Sequence, residues 1–475
     1  MRKFFVSMAL TLSAFASVEH LTLKQALALL HKNNSQIKIA KMDERIAHFK
    51  TKLAQSYNFG SLDLVFNALR SNDAGNVFGF KLQSREASFA DFGFDEFLAP
   101  MGQVLETMNS SLKNGGSGLP AGFTQGMGSI LNIQPRKLNF PKARNHFQTK
   151  VQYKLPLFTG LKLTMYSKIS KEMEHLKGLE EQKVINEMEY QTKKTFYDIT
   201  LVENYIKNLK TLKQHMDKLE EIIKNFKAEG YAKATDVLEV EAKKAEVNAM
   251  LNQAKLNRDL AYQYLGFLID EDVDSIEHVN ELAPMPKIPT QKMVAEAIDY
   301  KRAQVGQKIT HMNVKLQKSG FYPMVGAFAE YGSADNVPFN DFWKKDAYTI
   351  GAQLKWNLFS GGGDSAKVQA AKIKDLQMHE KLLLAKRGLA LKINQLKTAI
   401  LSKNYDIQAR AKQYELAQKI YAMYQAKYKE GLVKISDVLI KHSEEIQALL
   451  QLLKAKTERN EKVFELESLL AKESR

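Results

Sequence analysis

The chain repeats itself at one fixed offset. Val151-Gln-Tyr-Lys-Leu-Pro-Leu-Phe-Thr-Gly160 aligns without a gap on Ala352-Gln-Leu-Lys-Trp-Asn-Leu-Phe-Ser-Gly361, a separation of 361 − 160 = 201 residues. Gly230-Tyr-Ala-Lys-Ala-Thr-Asp-Val-Leu238 aligns on Gly431-Leu-Val-Lys-Ile-Ser-Asp-Val-Leu439, and 431 − 230 is again 201. Two separated matches at one offset define a tandem duplication whose unit is far longer than any solenoid repeat. Whatever one copy folds into, the other must fold into as well. Lys52-Leu53 with Ser56 corresponds to Lys315-Leu316 with Ser319 at an offset of 263, so the first copy carries 263 − 201 = 62 extra residues before Val151. That insertion is rich in Gly, Asn and Phe, contains Asn114-Gly-Gly-Ser-Gly118, and reads as a long external loop.

Each copy holds a long alternating segment. Phe147, Thr149, Val151, Tyr153, Leu155 and Leu157 alternate with Gln148, Lys150, Gln152, Lys154 and Pro156. In the second copy Tyr348, Ile350, Ala352, Leu354, Trp356 and Leu358 alternate with polar or small residues. A period of two over about ten residues, aromatic on its apolar face, suits a tilted strand between lipid and water. A half-buried strand of a soluble sheet alternates too. On the membrane reading, Phe147, Val151, Tyr153, Leu155, Tyr348, Ile350, Leu354 and Trp356 face lipid. Leu62, Leu64, Phe66 and Ala68, and more weakly Met324 to Tyr331, supply partner strands. Each copy thus offers one hairpin and the chain four strands. Four strands cannot close a barrel and a bilayer tolerates no open edge, so the reading requires several chains to complete one shared barrel.

The remainder reads as helix. No proline occurs between Pro156 and Pro284, or from Phe339 onward, and Ala, Leu, Lys, Glu and Gln dominate. Val202, Tyr205, Leu209, Leu212, Met216, Leu219, Ile223 and Phe226 step by threes and fours, the spacing of a coiled-coil seam. A helix from about Ser170 to Glu229 would be roughly 90 Å long. Gly230 and Gly431 end the long helices, and Thr235 and Ser436 have side chains suited to starting the return helices. The fold class is therefore mainly α with a β part, in two tandem repeats.

Residues 1–17 have the parts of an export signal: Arg2 and Lys3, an apolar run from Phe4 to Leu12, and Ala14 and Ala16 as a cleavage site. The expected layout is a signal at 1–17, a first helix at 18–56, a first β-hairpin with its insertion at 57–160, and a first helical hairpin at 161–275. A linker and helix at 276–320, a second β-hairpin at 321–361 and a second helical hairpin at 362–475 follow. The chain has no cysteine, which excludes a disulfide framework, a thiolate metal site and a lipid-modified N-terminal cysteine. Beyond the signal no run of about 18 apolar residues is available for a transmembrane helix. The net charge of +16 comes mostly from lysines interleaved with glutamates on helical stretches, as at Lys207, Lys210, Lys213, Lys218, Glu220 and Glu221. Such solvated faces do not call for nucleic acid.

Nothing marks an enzyme. The histidines, His215 and His442 among them, lack the spacing of a metal motif and read as surface or packing residues. Gly361-Gly-Gly363 is followed by no Gly-Lys-Ser/Thr and fits a strand-to-helix junction. No nucleophile elbow stands out, and no cofactor or metal is expected.

Taken in order, Leu21-Thr-Leu-Lys-Gln-Ala-Leu27 with Asn33-Asn34, the paired Leu157-Phe158-Thr159-Gly160 and Leu358-Phe359-Ser360-Gly361, and the two Gly-x4-Thr/Ser-Asp-Val-Leu turns resemble the TolC-like outer-membrane efflux proteins. The resemblance covers essentially the whole chain after the signal. It implies a homotrimer in the outer membrane of a Gram-negative cell, with a 12-stranded barrel on a long periplasmic barrel of antiparallel coiled-coil helices. It also implies docking to a periplasmic adaptor and an inner-membrane pump, and passive export of small toxic molecules or proteins, as in drug efflux or type I secretion. By the same resemblance Gly230, Gly431, Thr235 and Ser436 form the adaptor-contacting tips, and Asp236, Glu239 and Asp437 line the periplasmic gate. The aspartates could equally serve as helix caps, and Ile440 stands where the family often has a second acid. The alternative from another class is an exported coiled-coil adhesin or scaffold without a pore.

Overall fold

The computed structural model describes residues 18–117, 119, 122–279 and 281–471. The export signal read at residues 1–17 lies outside them. In chain order the elements are α1 (Leu23–Asn33), α2 (Ser35–Ser56), β1 (Ser61–Ser71), α3 (Ala74–Gln83), α4 (Phe94–Lys113), α5 (Phe123–Leu131), α6 (Arg136–Asn139) and β2 (Arg144–Phe158). There follow α7 (Lys162–Ala228), α8 (Ala234–Ile269), α9 (Thr290–Glu296), α10 (Ile298–Lys318), β3 (Met324–Asp335), β4 (Asp346–Lys355), α11 (Gly363–Lys429) and α12 (Ile435–Ser468). Two compact units result. One takes the described residues of Met1–Thr51, Lys168–Val314 and Gln369–Arg475; the other takes those of Lys52–Ser167 and Lys315–Val368.

The first unit is helical, and the repeat offset governs it. The helices α7 and α11 are each 67 residues long, and their first residues differ by 363 − 162 = 201. At 1.5 Å per residue each is about 100 Å long. The sequence places the start of α7 near Ser170; the helix begins at Lys162, with three residues between it and the end of β2. Gly160 turns the chain at φ +60, and the Thr159 hydroxyl accepts the Leu163 N–H at 3.2 Å, so the rod starts as soon as the strand stops.

Local chemistry sets several helix starts. Thr22 Oγ1 accepts the Gln25 N–H at 3.2 Å while Gln25 Oε1 accepts the Thr22 N–H at 2.9 Å, a reciprocal capping box. Asn34 Oδ1 accepts the Ile37 N–H at 3.0 Å, and its amide donates to the Leu268 carbonyl at 2.8 Å. These contacts explain why the early Leu-Thr-Leu-Lys-Gln and Asn-Asn segments carry those residues. One apolar cluster joins Leu21, Ala26, Leu30 and Ile37 to Phe196, Ile199, Leu265, Leu268 and Ile269. A second joins Met293 and Val294 to Ile393, Leu396, Ile400, Val463 and Phe464. Along the seam, Leu209, Leu212, Met216, Leu219 and Ile223 are buried, as their spacing requires.

The second unit is a four-stranded antiparallel sheet in the order β1-β2-β3-β4, with helices α3 to α6 in the insertion. The two hairpins join through β2 and β3, with Val151 opposite Tyr331 and Tyr153 opposite Ala329. The insertion is not the loop its Gly and Asn content suggested. Asp73 Oδ1 caps α3 by accepting the Asn76 N–H at 3.0 Å. Phe78 meets Phe92 edge to face at 5.0 Å, and Phe80 stacks on His146 at 4.1 Å between ring centres. Phe80, Val77 and Ile130 are buried there, whereas Phe89, Phe92, Phe94 and Phe140 stay exposed in the single chain.

Candidate functional site

Opposed residues of an antiparallel pair point to the same side of a sheet, so the register decides what each face presents. On one side β1 offers Leu62, Leu64, Phe66 and Ala68, opposite Tyr153, Val151, Thr149 and Phe147 of β2. The same side continues through Leu155, opposite Ala327, and ends on Tyr348, Ile350, Ala352 and Leu354 of β4. Leu64, Tyr348 and Ile350 are 74%, 76% and 74% exposed in the single chain. A contiguous exposed sheet of such side chains marks a surface made for something other than water. Each of these side chains would gain about 1.5–3 kcal/mol on leaving water.

The other side is polar. Asn67 donates to Gln148 at 3.1 Å, Lys150 donates to Glu330 at 3.1 Å, and Gln152 bonds the same carboxylate. Phe328 lies over Gly351, where an added Cβ would come within 2.7 Å of the ring. Thus one face is apolar, the other is a hydrogen-bonded lattice, and β1 and β4 each have one unpaired edge within the chain.

The structure puts Phe147, Val151, Tyr153, Leu155, Tyr348, Ile350 and Leu354 on the apolar face. Trp356 lies one residue beyond the end of β4 and is 53% exposed. Its strand stops at Lys355, opposite Met324, because the preceding Pro323 has no N–H to extend the ladder. The indole N–H instead donates to the Phe321 carbonyl at 3.1 Å.

The helical hairpins turn in the same way in both copies. After α7 the Gly230 N–H bonds the Lys227 carbonyl at 3.1 Å and the Tyr231 N–H bonds the Phe226 carbonyl at 2.8 Å. After α11 the Gly431 N–H bonds Tyr428 and the Leu432 N–H bonds Lys427, both at 3.0 Å. These are Schellman turns, and the glycines supply the left-handed residue at φ +83 and +72. Thr235 and Ser436 do not start the return helices. The extended N-cap residues are Lys233 and Lys434, which places the hydroxyl residues one step inside, at the second helical position. The aspartates do the capping: Asp236 accepts the Lys233 N–H at 2.9 Å and Asp437 the Lys434 N–H at 3.3 Å. Each also sits where a negative charge offsets the helix dipole. Glu239 is exposed, and so are Tyr231, Leu238, Leu432 and Ile440. Beneath both turns one apolar cluster holds Met216, Ile223, Val237, Val240, Tyr421, Ile435, Val438 and Leu439.

Above this cluster lies a cavity of about 370 Å³ between α7, α11 and α12, lined by Tyr205, His215, Tyr421, His442 and Glu445 among others. His442 is 3% exposed and stacks on Tyr421 at 4.4 Å between ring centres. Burial, with the charges of His215 and Lys243 adding to it, pushes the His442 imidazole down to about 3. Burial also raises the Glu445 carboxyl. Sequence reasoning took these histidines for surface or packing residues. His442 does pack, but no spacing revealed the cavity beside it, because three separate helices build it.

Residues 291–472 match the model of the family described as outer membrane efflux protein. No curated protein matches the chain. Among solved structures, CusC, described for its folding and transmembrane channel formation, superposes with a TM-score of 0.74 at 11% identity, over 95% of this chain and 92% of that one. The CmeC outer membrane channel of Campylobacter jejuni gives 0.72 at 13% identity, over 95% and 87%. The outer membrane protein VceC of Vibrio cholerae gives 0.70 at 13%, over 94% of each chain. Residues 291–472 thus match the outer membrane efflux protein family, and the fold of nearly the whole chain is similar to that of solved outer-membrane channels.

Proposed function

We propose that this chain is the outer-membrane exit duct of a tripartite efflux or type I secretion system, working as a homotrimer with a periplasmic adaptor and an inner-membrane pump. One observation carries the reading: a four-stranded sheet with one apolar face, one polar face and both edges unpaired. In a bilayer an unpaired strand edge leaves N–H and C=O groups without partners, each costing several kcal/mol, so β4 of one copy must meet β1 of the next. Three copies give a 12-stranded barrel with the apolar face toward lipid and the Lys150, Gln152 and Glu330 lattice toward water. A conduit of this kind lowers no reaction barrier and requires no catalytic residue.

On this reading the turns at Gly230 and Gly431, with Thr235 and Ser436, are the periplasmic tips that meet the adaptor. The exposed Tyr231 and Leu432 give them an apolar surface suited to that contact. Asp236, Glu239 and Asp437 surround the entrance. The capping bonds of the two aspartates support a rigid ring there, with Glu239 as its exposed charge. Membrane fractionation followed by planar-bilayer recording tests the proposal. The expected result is an outer-membrane, heat-modifiable trimer that conducts. A monomer that stays folded in detergent-free buffer and does not conduct would favour the pore-less scaffold instead.

A further inference from the structure

The insertion and the adjoining strand ends border a second, larger cavity of about 780 Å³ that is open to solvent. Six cations line it: Arg70 at the end of β1, Lys81 on α3, Arg136 and Lys137 on α6, Lys142, and Arg144 at the start of β2. Two carboxylates share the lining, and both are engaged. Asp91 binds Lys81 and accepts from the Ser88 N–H at 2.9 Å and the Ser88 hydroxyl at 3.0 Å. Glu96 accepts the backbone N–H groups of Arg136 at 2.8 Å and Lys137 at 3.2 Å. Nearby, Asp95 takes Lys137 and Glu86 takes Arg144.

Three cations remain. The Arg70 guanidinium donates only to the neutral Asn145 side chain, at 2.8 Å. Among the described residues neither Arg136 nor Lys142 has a carboxylate within ion-pair distance. Arg144 adds an independent sign: its Nε is buried and has no hydrogen-bond acceptor. A buried donor without an acceptor is unfavourable and clustered like charges repel, so the lining favours the entry of an anion.

The three cations without a carboxylate partner are exposed and come from a strand end, a short helix and the segment leading into β2. A planar carboxylate offers two oxygens, whereas a phosphate offers several acceptors around a tetrahedron and suits guanidinium forks. The volume exceeds that of a bare anion and leaves room for the body that carries it. We infer that this cavity binds phosphate groups, free or borne on a sugar, through Arg70, Arg136 and Lys142. That the cavity takes a phosphate rests on its lining alone, whereas a membrane sugar phosphate as its carrier rests on the proposed outer-membrane function.

The test uses full-length protein purified in detergent, with inorganic phosphate titrated calorimetrically at constant ionic strength against chloride. The expected result is saturable binding that weakens about tenfold or more in the Arg136→Gln, Lys142→Gln double variant, the loss of charge-assisted contacts. The matched Lys308→Gln, Lys381→Gln control, which removes two exposed lysines elsewhere, retains wild-type affinity, and unchanged melting of both variants shows that they fold. Competition by a phosphorylated lipid A disaccharide, but not by its dephosphorylated form, identifies a sugar phosphate as the ligand; binding of inorganic phosphate alone identifies the free anion. Saturable binding of neither, or equal affinity in the double variant and the control, overturns the inference.

Discussion

The two repeats agree wherever a structure is made from neighbours along the chain and differ wherever it is made from neighbours across it. The 67-residue helices and the Schellman turns at Gly230 and Gly431 are the same in both copies. The strands are not: β2, paired on both sides, has 15 residues, while β4, paired on one, has 10. Gly160 and Gly361 share φ +60, yet a Cβ at Gly160 would lie 2.8 Å from both the Ser319 carbonyl oxygen and the Tyr322 Cβ, whereas at Gly361 it meets nothing within 4 Å. His442 is buried at 3%, while Glu241, its counterpart one offset earlier, is exposed and pairs with Lys224 at 3.5 Å. Equivalent sequence positions acquire different duties once the sheet and the bundle give them different surroundings.

The glycine pair offers the strongest way to break this comparison. Gly160→Ala combines left-handed strain with a backbone collision and is expected to cost about 3 kcal/mol or more, against about 1–2 kcal/mol for Gly361→Ala, where only strain applies. Thermal unfolding of the two variants in detergent checks this, and equal losses would show that the two junctions are equally crowded in the assembled protein.

The buried imidazole predicts a pH effect that belongs to the second repeat. Its folded value of about 3 lies below the ordinary 6.5, so the unfolded chain takes up a proton first and stability falls as pH drops from about 6.5 toward 3. The slope is at most about 1.4 kcal/mol per pH unit. His442→Phe, which keeps a ring against Tyr421, should remove this component, whereas Glu241→Gln should leave it in place; chemical denaturation at pH 7 and pH 4 separates them. An unchanged acid sensitivity in His442→Phe would place the titrating group elsewhere.

Bulky substitution at the tips sharpens the functional side. An added Cβ at Gly431 meets no atom within 4 Å, so Gly431→Trp chiefly strains a left-handed residue, and the proposed trimers should persist at a cost of about 1–2 kcal/mol. On the proposed function, the drug susceptibility of cells that rely on this protein should nevertheless rise if the tip meets the adaptor. Unchanged resistance would remove Gly431 from that contact, and the parallel Gly230→Trp variant shows whether the two tips count equally. The smallest effects come from the caps: Asp236→Ala and Asp437→Ala should each cost about 0.5–1 kcal/mol, with Asp236 the larger because its bond is the shorter, 2.9 against 3.3 Å. The order of their melting temperatures decides it.

Much of this was legible in the residues. Alternation placed Val151, Tyr153, Ile350 and Leu354 on one face, since a strand's period of two leaves no other arrangement. The glycines marked the helix ends, since the turn requires a left-handed residue. Thr235 and Ser436 misled because hydroxyl residues favour the N-cap but also fit the first turn, where Asp236 and Asp437 already serve the exposed N–H groups. Trp356 continued the alternation past its strand because pattern does not register where the partner strand, begun after Pro323, runs out. The insertion was misread because its phenylalanines have no helical period; they find one another only when α3 to α6 fold together.

The sequence alone determined the duplication, the glycines where the long helices end, the turn type and the two-faced strands, because each depends on interactions within a few residues or on an exact internal offset. Only the tertiary structure decided that β2 and β3 join the repeats, that His442 is buried while Glu241 is not, and that six cations share one cavity. Those outcomes depend on which surfaces meet across segments far apart in the chain, and no local pattern encodes that meeting.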